Sequence, residues 1–162
     1  MSEQMEVIWM TENEGDTVRL AQLLASWAVQ GTVLALDGDL GAGKTRFSQA
    51  FAAGIGVPGV VNSPTFTIIK EYKGAQLPLY HMDVYRLSED EADELGLDDY
   101  FFGDGVTIVE WASLIEALLP PDRLQMYITH LGDEARRITI TGIGAQYVAW
   151  CQQLQAIGAQ SE

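Results

Sequence analysis

The run Gly38-Asp39-Leu40-Gly41-Ala42-Gly43-Lys44-Thr45 holds the residues with the clearest chemistry. It fits the spacing G-x-x-x-x-G-K-[ST]. Glycines adopt backbone angles closed to other residues, so such a loop can turn several N–H groups into one concavity that suits an anion. A helix starting at Lys44 adds its positive N-terminal end. The Lys44 ammonium is then placed to reach β- and γ-phosphates, and the Thr45 hydroxyl to ligate Mg²⁺. The pattern predicts a triphosphate site built on Asp39, Leu40, Gly41, Ala42, Gly43, Lys44 and Thr45.

Hydrolysis at such a loop needs a second carboxylate near the metal and a group that orients the attacking water. Two acidic residues end apolar, strand-like runs: Glu110 after Val106-Thr107-Ile108-Val109, and Asp83 after Leu79-Tyr80-His81-Met82. Asp is the commoner residue at the first of these positions. Glu110, one methylene longer, either meets the metal directly or through water, or is a strand-end surface carboxylate. His81 and Asp83 lie two apart and so face the same way on a strand. Two residues alone make a poor metal site. Asp83 is therefore expected beside the phosphates, and His81 to pack or orient as a satisfied structural histidine. His130 has no motif around it and reads as structural. Thr65, in Ser63-Pro64-Thr65-Phe66, supplies either a hydroxyl that senses the γ-phosphate or part of a proline turn entering a strand.

Positioning these groups requires an alternation of strands and helices. A short strand is expected at Glu6–Trp9. Thr11 offers a helix N-cap with Glu14 three residues on. Val18, Leu20, Leu23, Leu24, Trp27 and Ala28 mark the apolar face of that helix, which Gly31 ends. Thr32–Leu36 is a continuous apolar run, as in a strand buried on both faces. A helix follows from Lys44 to about Ile55. Phe66–Tyr72 and Leu77–Val84 read as an antiparallel hairpin about Lys73–Gly74. Ser88 and Glu91 form a capping-box pattern before an acidic helix ending near Gly96, and the run Glu89 to Glu94 reads as its solvated face. Val106–Val109 is a buried strand. Ala112–Leu119 has helical character, stopped by Pro120–Pro121. Leu124–His130 and Arg136–Thr141 read as a second hairpin about Gly132–Asp133, and Gln146–Ile157 as a closing helix. The sum is one P-loop NTPase-like α/β domain spanning residues 1–162, with three layers and a mixed parallel and antiparallel sheet.

Composition restricts partners. Against 23 Asp and Glu stand 9 Lys and Arg, a net charge of -14. Nucleic-acid affinity comes largely from cationic side chains. Here they are scattered, with Arg136–Arg137 the only adjacent pair, so strong direct binding to RNA or DNA is not expected. A single cysteine, Cys151, allows no internal disulfide and fits a reducing compartment. The N-terminus lacks a signal-peptide pattern and no apolar run reaches the length of a membrane span, so the expected location is cytoplasmic and away from membranes.

Five segments, in order, resemble one family: GDLGAGKT at 38–45, NSPTFT at 62–67, YHMDVYRL at 80–87, LGLDDYF at 95–101 and TIVEW at 107–111. Together they cover the chain from about residue 35 to 112. This chain resembles the TsaE (YjeE) family, bacterial P-loop ATPases required for threonylcarbamoyladenosine (t6A) modification of tRNA. The resemblance implies ATP hydrolysis with Mg²⁺, slow without partners. It also implies assembly with the threonylcarbamoyltransferase subunits of the TsaD and TsaB type, with the ATPase acting as an accessory that resets the transferase between turnovers. By resemblance, Thr45 and Glu110 hold the metal, Lys44 grips the phosphates, Asp83 supports hydrolysis and Thr65 belongs to a switch. Trp111 forms a wall of the active site and Arg86 meets a partner. Glu14 and Ala135 lie toward the nucleoside. Arg46 stands where the family often has a second Thr; its backbone N–H still suits the α-phosphate, but the hydroxyl contact is lost.

Three other readings use the same loop. A small-molecule kinase brings arginines to clamp its acceptor, and no Arg-rich lid segment is visible here. A GTPase carries Asn-Lys-x-Asp to read guanine; Asn13 and Asn62 are followed by Glu and Ser, so that element is absent. An ATP-gated interaction switch that rarely hydrolyses would carry the same residues as a slow ATPase.

Overall fold

The computed structural model describes residues 3–39, 43–59 and 68–161. Eight strands form one sheet: β1 (Gln4–Thr11), β2 (Val33–Gly38), β3 (Ile69–Tyr72), β4 (Leu79–Asp83), β5 (Val106–Glu110), β6 (Arg123–Gly132), β7 (Ala135–Ile143) and β8 (Gln160–Ser161). Their order is β3-β4-β5-β2-β6-β7-β1-β8. The four middle strands, β4, β5, β2 and β6, run parallel. Antiparallel pairs extend the sheet on both sides: β3 with β4, then β6 with β7, β7 with β1 and β1 with β8. Parallel strands must have both faces covered, and β2 shows why TVLAL is apolar throughout. Leu34 and Leu36 face one core; Val33 and Ala35 face the other.

The first core packs the sheet under α1 (Glu14–Trp27), α2 (Lys44–Gly54) and α5 (Ala145–Ile157), with Leu20, Leu24, Phe47, Phe51, Tyr147 and Leu154 buried. The second lies under α3 (Glu89–Asp93), α4 (Asp98–Phe101) and a 3₁₀ helix at Ala112–Leu118. The result is the expected three-layer α/β arrangement with a mixed sheet.

Local differences have local causes. Thr11 does not cap α1. It ends β1, opposite Arg136 of β7, and sheet pairing takes it. Asn13 is the cap, its side chain accepting from Asp16 N at 2.9 Å. Helix α1 stops at Trp27, before Gly31. The acidic segment forms two short helices; Ser88 and Glu91 do make the reciprocal capping box. The 112–118 segment is a 3₁₀ helix interrupted at Ile115, not a regular α-helix. Both hairpins form about the turns expected, the first over residues 69–83; Phe66 and Thr67 lie outside the described residues.

Candidate nucleotide and metal site

The carboxyl ends of parallel strands converge where a sheet of this kind binds ligands. Register brings them together: Leu36 pairs with Glu110, and Glu110 with Asp83. Alternation along the strands sets the facing. Leu79 of β4 and Val106 and Ile108 of β5 enter the core beneath α1 and α2, so His81, Asp83 and Glu110 project from that same face. Helix α2, which begins with Lys44, packs on it.

Two glycines make the strand-to-helix turn possible. Gly38 ends β2 with φ of 151°, and a Cβ there would lie 2.5 Å from the carbonyl oxygen of Ile128. Gly43 precedes α2 with φ of 108°, in the left-handed range, and its carbonyl accepts from Phe47 N at 3.0 Å in the first helical turn.

Lys44 is 7% exposed. Its Nζ donates to the carbonyl oxygens of Gly38 and Asp39, each at 3.2 Å, and sits 4.2 Å from the centre of the Trp111 ring. Burial pulls its pKa below the usual lysine value, while Glu110, Asp37, Asp39 and Asp83 act in the opposite direction. A buried ammonium among four carboxylates marks a place where multivalent charge can be balanced: anionic phosphates against the lysine, a cation against the acids. Trp111 is held against it by a left-handed backbone (φ 63°, ψ 35°) and by Tyr85, whose ring centre is 4.8 Å away.

The remaining expected residues fall as follows. Asp83 is half-buried and accepts from Tyr85 N at 3.0 Å. Glu110 is 3% exposed, not a surface carboxylate, and its Oε2 lies 2.5 Å from His81 Nε2. Thr45 is the second residue of α2 and half-buried. Arg46 and Glu14, both exposed, approach to 3.4 Å, linking the first turns of α2 and α1. Ala135 opens β7, opposite Gly132. Arg86 is exposed. Asp39 is fastened to β6, accepting from His130 N at 3.1 Å and Tyr127 Oη at 3.3 Å. Leu40, Gly41, Ala42 and Thr65 lie outside the described residues.

One residue escaped the sequence reading. Asp37 accepts from both Ser113 N (3.1 Å) and Ser113 Oγ (2.8 Å), pinning the 3₁₀ helix to the end of β2, and it is one of the four acids acting on Lys44. Its signal was its place: an acid immediately before Gly38 at a strand end.

Mg²⁺ in a nucleotide site takes one or two protein oxygens, with substrate phosphates and water completing its shell. Among the described residues no group of three or more His, Cys, Asp or Glu is arranged to hold a metal alone. The donor set at this edge is made of hard oxygens, from Thr45, Glu110 and neighbouring carboxylates. Oxygens of this kind suit a hard divalent cation.

The family model for "Threonylcarbamoyl adenosine biosynthesis protein TsaE" matches residues 11–138, the stretch that contains this whole edge. The chain belongs to the TsaE family. A TsaE of Bacillus subtilis, described as a tRNA threonylcarbamoyladenosine biosynthesis protein, is 56% identical over 146 residues, covering 90% of this chain and 92% of that one. TsaE of Haemophilus influenzae is 34% identical over 136 residues, covering 81% and 85%. The crystal structure of Bacillus subtilis YdiB superposes with a TM-score of 0.80 at 50% identity, covering 96% of this chain and 97% of that one. Among the described residues, no helix is long and apolar enough to cross a membrane.

Proposed function

We propose that this TsaE-family chain is a Mg²⁺-dependent ATPase that supports t6A modification of tRNA by binding the TsaD- and TsaB-type transferase subunits. The observation that carries the reading is the buried Lys44 ammonium, seated on the carbonyls of Gly38 and Asp39 amid four strand-end carboxylates. An arriving triphosphate takes the ammonium from those carbonyls. Main-chain N–H groups of residues 40–46 line the phosphates, Asp39 N being held by Ile128 O, and the start of α2 adds its dipole. Thr45 and Glu110 would hold the metal, which would supply positive charge against the phosphates. Asp83 orients the water that attacks the γ-phosphorus; the bond to the β–γ bridging oxygen breaks, giving ADP and phosphate. Thr65 contributes a switch hydroxyl. Glu14 and Ala135 border the nucleoside, and the Glu14–Arg46 pair lies along that border.

The net charge of -14 argues that contact with tRNA is made by partners. The test is ATP hydrolysis by the purified chain, alone and with the two transferase subunits. A release of phosphate that rises with the subunits supports the ATPase reading. Binding of ATP without turnover in either mixture would favour an ATP-gated switch. Normal t6A levels in cells depleted of the protein would remove the pathway assignment.

A further inference from the structure

Glu110 depends on a single side chain. Its carboxylate is buried, and His81 Nε2 at 2.5 Å is the one hydrogen-bond partner it has among the described residues. His81 is fully buried too. Strand register makes this pairing: His81 lies opposite Ile108 and Asp83 opposite Glu110, so His81 reaches diagonally across two adjacent parallel strands. All three side chains project from the face that carries α2. An ionised carboxylate only accepts, so Nε2–H donates to Oε2. That leaves His81 Nδ1 as a buried acceptor without a partner among the described residues. An unpaired buried nitrogen is destabilising, so His81 is retained at a cost while its other nitrogen is committed to Glu110.

We infer that His81 is a positioning residue for the cation site: by holding Glu110 Oε2 it fixes the carboxylate plane and leaves the other oxygen open for Mg²⁺. This rests on the ATP and magnesium reading above. A metal-binding carboxylate held by a neighbouring hydrogen bond loses ligand geometry, not only stability, when that bond is removed. The bond, not the imidazole as such, is what matters. A side chain that reaches the same place with an N–H restores the function; one that fills the space without a donor does not.

The experiment counts free Mn²⁺, as a paramagnetic stand-in for Mg²⁺, by electron paramagnetic resonance at saturating ADP. It compares the full-length wild type with His81→Leu, His81→Gln and His81→Asn, and measures metal-free ADP affinity and thermal unfolding alongside. The Leu variant fills the site without a donor, and the Asn amide is too short to reach Glu110; both should need roughly 10–100 times more metal for half-saturation. His81→Gln should stay within about threefold of wild type, and metal-free ADP affinity should be unchanged in all. If the Leu variant does not fold, Gln against Asn carries the comparison. Wild-type metal dependence in the Leu or Asn variants, or equal losses in Gln and its partners, overturns the inference while leaving the site assignment standing. A wild type that binds ADP without retaining Mn²⁺ overturns the magnesium reading, and this inference with it.

Discussion

The two halves of this sheet solve different problems with the same strand geometry. On the side of β6, β7 and β1 the strands are antiparallel, and their inward residues, Val7, Ile138 and Ile140, are apolar and buried under α1 and α5. Cys151 and Tyr147, buried on α5, stay neutral. Burial pushes the Cys151 thiol up to about 11, and burial likewise raises the Tyr147 phenol, whose hydroxyl is bonded to Val33 N. On the side of β2, β4 and β5 the strands are parallel, and the same inward positions end in His81, Asp83 and Glu110 beside a buried lysine. The first half buries mainly carbon, with Arg123 donating to Pro120 O and Gln125 Oε1; the second buries a lysine among carboxylates, which is destabilising unless something else compensates it. The contrast separates the half that buries carbon from the half that carries the proposed site.

The contrast can be broken most sharply at Lys44. Lys44→Ala should lower ATP affinity by about 100-fold or more in calorimetry, since a charged hydrogen-bonding group facing phosphate is lost. Unimpaired binding would place the nucleotide elsewhere. In the other half, Ile140→Ala should lower unfolding free energy by about 2–5 kcal/mol in urea titration and leave ATP affinity untouched. A matching loss of affinity would mean that the halves are not separable. Glu110→Ala should slow phosphate release by roughly 10–100-fold while changing ADP affinity less, as expected for a group that acts through the metal. The smallest effect belongs to Cys151. With a folded pKa of about 11 against 9.0 unperturbed, its thiolate is scarce at pH 8. Alkylation should be slow in buffer and fast in urea. Because the folded value is the higher one, the linked stability is complete below pH 9 and lost as pH rises toward 11.

Much of this was legible from sequence because the deciding physics is local. The glycine loop announces itself by spacing, TVLAL by unbroken apolarity, and both hairpins by strand pattern and turn residues. What stayed hidden depends on residues far apart in the chain. Thr11 and Asn13 are both good caps; only the pairing of Thr11 with Arg136, 125 positions away, decides between them. The 112–118 segment has helical composition, but Asp37 draws Ser113 across 76 positions, and the helix forms as 3₁₀ with a break at Ile115. The same limit applied at the candidate site. His81 was read as a satisfied histidine, whereas one ring nitrogen is unpaired and the other is committed to Glu110; neither is visible without the β4–β5 register.

The close approach of Gly38 to Ile128 has a mechanical meaning. The carbonyl that any Cβ would strike also receives Asp39 N at 3.1 Å, so the upstream end of the glycine loop is tied by main chain to β6. Its downstream end, the first turn of α2, is tied back through Lys44 Nζ to the carbonyls of Gly38 and Asp39. One end of the turn is thus fastened by main chain, and the other by an ammonium.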